Sequence, residues 1–212
     1  GGGKAAQREA RALEDILGDR ITAGCVNAKK GDSIYLDRCD VTLAGHPEPD
    51  EESVSGAQKI VDLMHTAKKG DIIFECESGG GTALITLPAP GLTLADIQEL
   101  TRVMYLEHGA PIEAANAVRT LLTTLRLKHS RHAGDATLIM ISTAERAADA
   151  LNMNQRPHHM GDEYDYAIYL LKELYPCWDE IPEAVRRHLL RKDPAYGHLR
   201  QEEWFDKPHY RI

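Results

Sequence analysis

The chain has 212 residues, of which 42% are hydrophobic and 27% charged, and its formal net charge is −8. This composition supports a buried core and excludes wholesale disorder. The acidic balance argues against a general nucleic-acid or anionic-membrane binder, and no apolar run approaches the roughly 18 residues of a membrane span. The four cysteines are scattered and form no CxxC motif, which indicates a reducing compartment; we interpret the protein as cytoplasmic.

The first part of the chain alternates predicted helices and strands. Helical spacing of apolar residues indicates helices, and short apolar runs indicate buried strands. The expected elements are helices at 3–17 and 53–67 and strands at 21–26, 41–43 and 71–76. Gly18 and Gly70 follow the two helices as stop signals.

The later part continues the same alternation. Thr93 with Asp96 has the spacing of a helix N-terminal capping box, and Pro111 suits a first helical position. The expected elements are helices from 93 to about 108, from 110 to about 127, at 161–175 and at 182–191, a strand at 136–141, and the start of a strand at 207–212. This order predicts one α/β domain over 1–212, with a three-layer, Rossmann-like, mostly parallel sheet and helices on both faces.

The strongest functional signal is the loop Ser78-Gly79-Gly80-Gly81-Thr82, which follows an apolar strand. Ligands of parallel sheets lie at the carboxyl ends of the strands. Glycine lets the backbone approach a ligand closely, and successive N–H groups can converge on an anion. The loop has neither the Walker A nor the GxGxxG pattern. An anion site and a plain flexible turn are both consistent with it.

Four further residues are candidates for binding or catalysis. Lys4 follows three glycines at a helix start, where it could reach an anion or simply be a solvated surface lysine. His46 lies in a proline-rich loop that could orient it for acid–base work or substrate contact, or merely order it. Asn116 and Arg119 share a helix face, and arginine suits carboxylate or phosphate recognition, although a helical arginine is more often simply exposed to solvent.

Two histidine pairs invite a metal interpretation. They are His129 with His132 and His158 with His159. Neither pair belongs to an HExxH motif or lies at ligand spacing from cysteines, so a zinc site is disfavoured. The sequence assigns no metal ligand.

Several stretches in this order resemble the glycerate 2-kinase family that carries a C-terminal MOFRL domain. They are Gly3–Ala6, Ala44–Pro47 with Pro49–Glu51, Ser78–Leu84 with Leu87–Gly91, Asn116–Arg119 and, further on, Trp178–Leu189. The resemblance is dense from residue 1 to about 120 and patchy beyond. The family has a strand before the first stretch and a whole domain after the segment where this chain ends, so we expect the chain to correspond to the N-terminal α/β domain.

The resemblance implies ATP-dependent phosphorylation of the 2-hydroxyl of D-glycerate, with Mg²⁺ as cofactor. Lys4 would then neutralise the transferring phosphoryl group, and the Ser78–Thr82 loop would cradle phosphate or the glycerate carboxylate. Arg119 would clamp an anionic group, and His46 and Asn116 would help to bind the substrate. The expected partner is a small molecule, with no nucleic acid or membrane; a homodimer stays open.

Two departures from the family pattern leave alternatives open. After Arg119 the family reaches a Lys-Gly-Gly that is absent here, and Thr143 stands where the family has an aspartate. Threonine cannot serve as a carboxylate base, although Glu145 or Asp149 could substitute. The alternative is therefore a non-catalytic relative that binds an organic acid or a nucleotide. A hydroxypyruvate reductase, a label also given to family members, is less favoured because no dinucleotide fingerprint is present.

Overall fold

The computed structural model describes residues 1–143, 163–199 and 209–211, the last three as backbone only. Its strands are β1 (Gly24–Lys29), β2 (Cys39–Ala44), β3 (Ile72–Ser78), β4 (Thr137–Thr143) and β5 (His209–Arg211). β1 pairs with β2, and β4 lies between β3 and β5, all in parallel. Gly2 bridges β1 and β3, again in parallel, so one sheet runs in the order β2–β1–Gly2–β3–β4–β5.

The helices lie between and beside these strands. They are α1 (Ala6–Leu17), α2 (Glu51–Thr66), α3 (Gly81–Leu84), α4 (Leu94–Thr101), α5 (Ile112–Arg119), α6 (His129–His132), α7 (Glu163–Tyr169) and α8 (Glu183–Arg191). Wider π-helical turns extend α4 through Glu107 and α7 through Leu174. None of the helices within the described ranges is both long and apolar enough to cross a bilayer.

Helices cover both faces of the sheet. Ala6 and Ala10 of α1 pack against Cys76 of β3 and its neighbours on one face. On the other face, α2 buries a stripe that includes Ile60 against Leu138 of β4. Successive strand residues point to opposite faces, which is why β3 can serve both cores. The predicted three-layer α/β architecture is confirmed.

A third and larger core in the described part of the chain contains residues of helices and their connecting loops and no strand residue. α4, α5, α7 and α8 bury side chains such as Leu100, Val118, Leu170 and Leu189 completely. The segment after α3 joins this helical cluster to the rest, since Ala89 N–H donates to the Leu122 carbonyl at 2.8 Å. The cluster thereby fixes α5, which carries Arg119 at its last residue.

Some element boundaries differ from the prediction. Gly3–Ala5 is not helical, because the first residues pair with the two neighbouring strands: Gly2 N–H donates to the Cys76 carbonyl at 2.9 Å. β1 begins at Gly24 and not at residue 21, and β2 extends over six residues. The predicted strands at 71–76 and 136–141 are confirmed with shifts of two residues or fewer at each end.

The predicted helix from 110 to about 127 is wrong beyond its first half. α5 ends at Arg119 and passes into a single 3₁₀ turn, Thr120–Leu122. The Thr120 hydroxyl donates to the Asn116 carbonyl, and side-chain bonding of this kind competes with the helical ladder. Leu127 then takes a positive φ of 62°. The expected helix at 182–191 is confirmed over 183–191 and the tail strand over 209–211, while residues 161–162, 207–208 and 212 lie outside the described ranges.

Candidate anion-binding site at the carboxyl edge of the sheet

Three chain segments meet where β3 and its neighbours end. The Gly1–Gly3 segment leads into Lys4, β2 leads into His46, and β3 leads into Gly79 and Gly80. Lys4 N–H donates to the Gly79 carbonyl at 2.9 Å, which fixes the start of α1 on the glycine loop. This convergence is the one that the edge rule for parallel sheets predicts.

Gly80 is the residue at which the glycine loop comes close to the side chains of both His46 and Lys4. Its φ is +97°, and a Cβ atom there would lie 3.0 Å from His46 Nε2 and 3.3 Å from Lys4 Cγ. Only glycine takes that backbone conformation at no cost and leaves room for both side chains. The glycine loop, Lys4 and His46 therefore form one continuous surface.

The turn that carries His46 is fixed by Asp50. The Asp50 carboxylate accepts the Ser53 N–H at 2.9 Å as the cap of α2 and pairs with Lys30 Nζ at 2.6 Å. Burial by itself raises the pKa of Asp50, but Lys30 and the N–H groups of Gly45 and Ser53 hold that pKa well below its usual range. His46 precedes a cis proline in the same turn. Asp50 is thus a structural carboxylate, and it positions His46.

Ser78 is the last residue of β3 and only 4% exposed. Its hydroxyl oxygen accepts the Ala5 N–H at 2.8 Å, ahead of the first turn of α1. Gly3 packs directly on it, since a Cβ at Gly3 would lie 2.2 Å from Ser78 Oγ. The hydroxyl predicted to bind a ligand is therefore used to join β3 to α1. Thr82 lies within α3, and its carbonyl accepts from the Thr86 hydroxyl.

Arg119 is a buried cation, with 3% of its surface exposed. Its Nη1 lies 3.5 Å from Asn116 Oδ1, whereas Nε and Nη2 meet no hydrogen-bond acceptor among the described residues. Burial lowers the pKa of Arg119 to about 10, so it stays charged at neutral pH. Burying donors without acceptors is costly. A guanidinium with two open donors is suited to receive an anion.

The charge of Arg119 acts on His46, another of the candidate residues. Burial lowers the pKa of His46, and the positive charges of Lys4, Lys29 and Arg119 lower it further. His46 is therefore neutral at pH 7 and offers a ring nitrogen for hydrogen bonding. The cations that act on it make this edge attractive to anions, although the whole chain is acidic.

A buried charged network lies beneath the glycine loop, on the sheet face opposite α1. His129 Nδ1 is 2.6 Å from Glu75 Oε1, and Arg126 pairs with Glu77. The oxygen and nitrogen ligands of Glu75, Glu77 and His129 lie within 4.8 Å of one another, and all three side chains are buried. The adjacent guanidinium balances one carboxylate, so we interpret the group as an ion-paired network. His132, the partner considered in the sequence, instead faces His65.

Sequence reasoning missed Glu75, Glu77 and Arg126. Arg126 lies next to the loop, with its Nε 3.3 Å from where a Cβ of Gly81 would be. The charged residues alternating along β3 were the available signal, because charges in an otherwise apolar strand need partners.

The chain departs from the family pattern after Arg119, where Lys-Gly-Gly is absent, and at Thr143, which replaces an aspartate. The structure describes only some of the residues concerned. Leu127 takes the left-handed conformation near the place where a glycine pair was expected. Thr143 ends β4 directly beside Ser78. Glu145 and Asp149, the suggested substitutes for a carboxylate at Thr143, lie outside the described residues.

The fold and this sheet edge together define an α/β protein with a cationic, glycine-rich surface at the carboxyl ends of parallel strands. Residues 1–154 match the family model described as a domain of unknown function, DUF4147. A glycerate 2-kinase from Pyrococcus horikoshii is 36% identical over 191 residues, which is 89% of this chain and 42% of that protein. The chain belongs to this family, the glycerate 2-kinases.

Two further matches add detail. The crystal structure of a glycerate kinase from Thermotoga maritima superposes with a TM-score of 0.72 at 29% identity, over 90% of this chain and 46% of that one. A protein named putative hydroxypyruvate reductase, from Agrobacterium vitis, is 33% identical over 145 residues, or 67% of this chain and 37% of that protein. The chain thus spans less than half the length of these relatives.

Proposed function

We propose that this chain is part of an enzyme that transfers the γ-phosphoryl group of ATP to the 2-hydroxyl of D-glycerate. The observation that carries the proposal is the buried Arg119 with two open donors, lying within electrostatic reach of His46. A cationic edge built from Lys4, the glycine loop and Arg119 suits a reaction between two anions. The names of the relatives supply the substrate class.

Phosphoryl transfer depends on positioning and charge neutralisation more than on covalent help. In our proposal the N–H groups of Gly79–Gly81 bind oxygens of the transferring phosphoryl group, and the Lys4 ammonium neutralises their charge. Arg119, held by Asn116, binds the glycerate carboxylate in a two-pronged contact. Neutral His46 hydrogen-bonds a glycerate hydroxyl and orients it.

The two expected cofactors differ in how well the residues present fit them. The cationic edge fits the phosphates of ATP. Mg²⁺, when bound, would reduce the negative charge of the phosphate groups, but it prefers an all-oxygen shell. The group of Glu75, Glu77 and His129 includes a nitrogen ligand and adjoins Arg126, so it does not fit Mg²⁺.

The direct test is phosphorus NMR of the purified chain with ATP, Mg²⁺ and D-glycerate. A growing 2-phosphoglycerate resonance is the expected result. A 3-phosphoglycerate resonance would keep the kinase and overturn the position of transfer.

A lysine variant tests the assigned role of Lys4. Lys4→Met should lower turnover at least about 100-fold with little change in stability, because its charge acts on the transferring group. Lys59→Met, which removes an exposed lysine of α2, is the matched control and should leave turnover unchanged. Equal turnover in Lys4→Met and the control would exclude the role.

One observation favours a second function. β4 ends in Thr143 where the family resemblance places an aspartate, so the chain could belong to a relative that binds an organic acid or a nucleotide without turnover. Saturable binding of D-glycerate or ATP by the folded chain, with no product resonance, would support this reading over the kinase.

We also propose that the protein is located in the cytoplasm. All four cysteines are free: two are half-buried and two buried. Burial raises the pKa of the Cys76 thiol to about 12, so that thiol is unreactive. Free thiols of this kind are typical of a reducing compartment, which supports a cytoplasmic location.

A further inference from the structure

A cleft with a volume of about 900 Å³ lies between β1 and β3, toward the amino edge of the sheet. Its lining starts at Gly1 and follows residues 24–26 of β1 and 72–76 of β3. Side chains of α1 and α2 form its two walls. Lys4, His46 and Arg119 are not among the lining residues. The cleft is therefore separate from the candidate anion-binding site, which lies at the opposite edge.

The first three residues show how wide the gap between β1 and β3 is. Asn27 N–H donates to the Gly1 carbonyl at 3.0 Å, and Gly3 N–H donates to the Asn27 carbonyl at 3.3 Å. On the other side, Gly2 N–H donates to the Cys76 carbonyl at 2.9 Å. Gly2 thus bridges both strands in parallel. Because neighbouring strands lie about 4.8 Å apart, the gap has the width of one inserted strand.

The main chain of both strands faces the cleft beyond Gly1. In a parallel strand, alternate residues direct their N–H and C=O groups to the same side, so the bonds to Gly1 and Gly2 fix which residues face it. The Gly1 nitrogen donates to the Cys25 carbonyl at 2.8 Å. Other groups on this side have no main-chain partner among the described residues: the N–H groups of Cys25, Phe74 and Cys76 and the carbonyls of Ile72 and Phe74. A sheet edge with such groups accepts another strand.

The walls of the cleft are largely apolar. They include Ala10, Leu13 and Leu17 of α1 and Ile60, Leu63 and Met64 of α2. Of the charged lining residues, Glu75 and His129 pair with each other, and the Asp71 carboxylate accepts the Lys68 N–H. Parallel strands that are covered by helices on both faces are nearly continuous apolar runs. The cleft therefore suits an extended apolar segment.

We propose that this cleft takes an extended apolar segment of three residues joined to Gly1, parallel to β1 and β3. Continuing the register, the first added residue donates to the Phe74 carbonyl and accepts the Cys76 N–H. The second accepts the Cys25 N–H, and the third accepts the Phe74 N–H. Three residues extend about 10 Å. The segment is joined to Gly1 because the Gly1 nitrogen already lies in line with the inserted strand, so the added residue enters in register without a turn.

The proposed strand also has a consequence for the other edge of the sheet. It continues directly through Gly2 and Gly3 into Lys4, whose N–H donates to the Gly79 carbonyl. Docking of the segment would therefore anchor the backbone that carries Lys4 against the glycine loop.

The test adds three residues ahead of Gly1 and measures stability and amide hydrogen exchange. Val-Ile-Val joined to Gly1 should raise Tm by at least about 4 °C, because it buries apolar side chains and pairs main-chain groups. It should also slow exchange of the Phe74 and Cys76 amides at least about tenfold. Ser-Gly-Ser, of the same length but polar, is the matched control and should change Tm by less than about 1 °C.

A wall variant shows whether the added segment lies in the cleft. Leu63→Gln should remove at least half of the gain in Tm that Val-Ile-Val gives, each chain being compared with its own form without the addition. Ile16→Gln, on the exposed side of α1, should leave that gain unchanged. Equal gains in both variants would place the segment elsewhere and overturn the proposal.

Two further results would overturn the inference. One is the same Tm and the same exchange rates for the Val-Ile-Val and Ser-Gly-Ser chains. The other is equal protection of Phe74 and Cys76 in the chain without an addition by the free peptide acetyl-Val-Ile-Val-amide, which would make the occupant a separate molecule. None of these measurements involves turnover, so their outcome is independent of the proposed function.

Discussion

At the scale of single residues, the proposed site depends on close contacts at the sheet edge. Lys4, His46 and Gly80 could be grouped from the sequence, because loops that follow parallel strands meet at one edge. Arg119 could be named but not placed, since its burial depends on the helical cluster.

Two glycine variants separate backbone strain from site geometry. Gly80 and Gly70 have nearly the same φ, +97° and +98°, but a Cβ at Gly70 would meet nothing within 4 Å. Alanine at either position should cost roughly 1–2 kcal/mol of stability. Only Gly80→Ala should also weaken turnover, by at least about tenfold, because its methyl group pushes on His46 and Lys4. Urea unfolding and ADP release measure the two effects, and equal activities would contradict the proposed site.

At the scale of elements, the strands and the helices that flank them follow the sequence pattern, whereas the segment from 110 to 127 does not. The apolar periodicity there continues past Arg119, so it predicts one long helix. The structure ends α5 at Arg119 because Thr120 bonds backward and Lys128 takes up the carbonyls of Thr120 and Thr123. A buried lysine acting as a helix stop has no simple signature in sequence.

The capping of α2 gives a prediction with a defined pH dependence. Asp50→Ala should destabilise by about 1–2 kcal/mol at pH 7, the range for loss of an N-cap. Asp50→Asn keeps a cap acceptor and should cost less. The pKa of Asp50 is lower in the folded chain than in the unfolded one, so its ionic contribution is complete above about pH 4 and is lost as pH falls through the folded value.

Thermal unfolding between pH 7 and pH 2 checks this behaviour. The stability gap between the wild type and Asp50→Ala should narrow as pH falls. A gap that stays constant over that range would show that the Asp50 charge, and hence the Lys30 pair, contributes nothing to the turn that carries His46.

At the scale of the whole molecule, the candidate site takes residues from both the sheet edge and the helical cluster. The sequence predicts the alternation that builds the sheet. It does not show that α4, α5, α7 and α8 pack on one another, because the apolar face of each helix would fit a sheet or another helix equally well. That assembly decides where Arg119 lies. The sequence therefore predicts the three-layer architecture but not the packing of the helical cluster.

Lys128 links global stability to pH. It is fully buried, and burial lowers its pKa to about 7. Between that value and its ordinary 10.5 the unfolded chain holds a proton that the folded chain does not, so stability should rise with pH by up to about 1.4 kcal/mol per unit. Urea unfolding from pH 7 to 8.5 measures the slope.

Lys128→Met is the matched comparison for that slope. It should be less stable than the wild type, because the carbonyls of Thr120 and Thr123 lose their donor. Its stability should nevertheless rise less with pH. Parallel slopes for the two proteins would show that Lys128 keeps an ordinary pKa in the fold.

The central claim is that this edge binds the anionic substrate through Arg119. Calorimetric titration of D-glycerate into the wild-type chain, Arg119→Met and the control Lys59→Met tests it most directly. We predict saturable one-to-one binding to the wild type and the control, with Kd raised at least about tenfold in Arg119→Met, because a charged hydrogen bond contributes roughly 1.5–3 kcal/mol. The same Kd in all three proteins, or no binding to the folded wild type, would contradict the account.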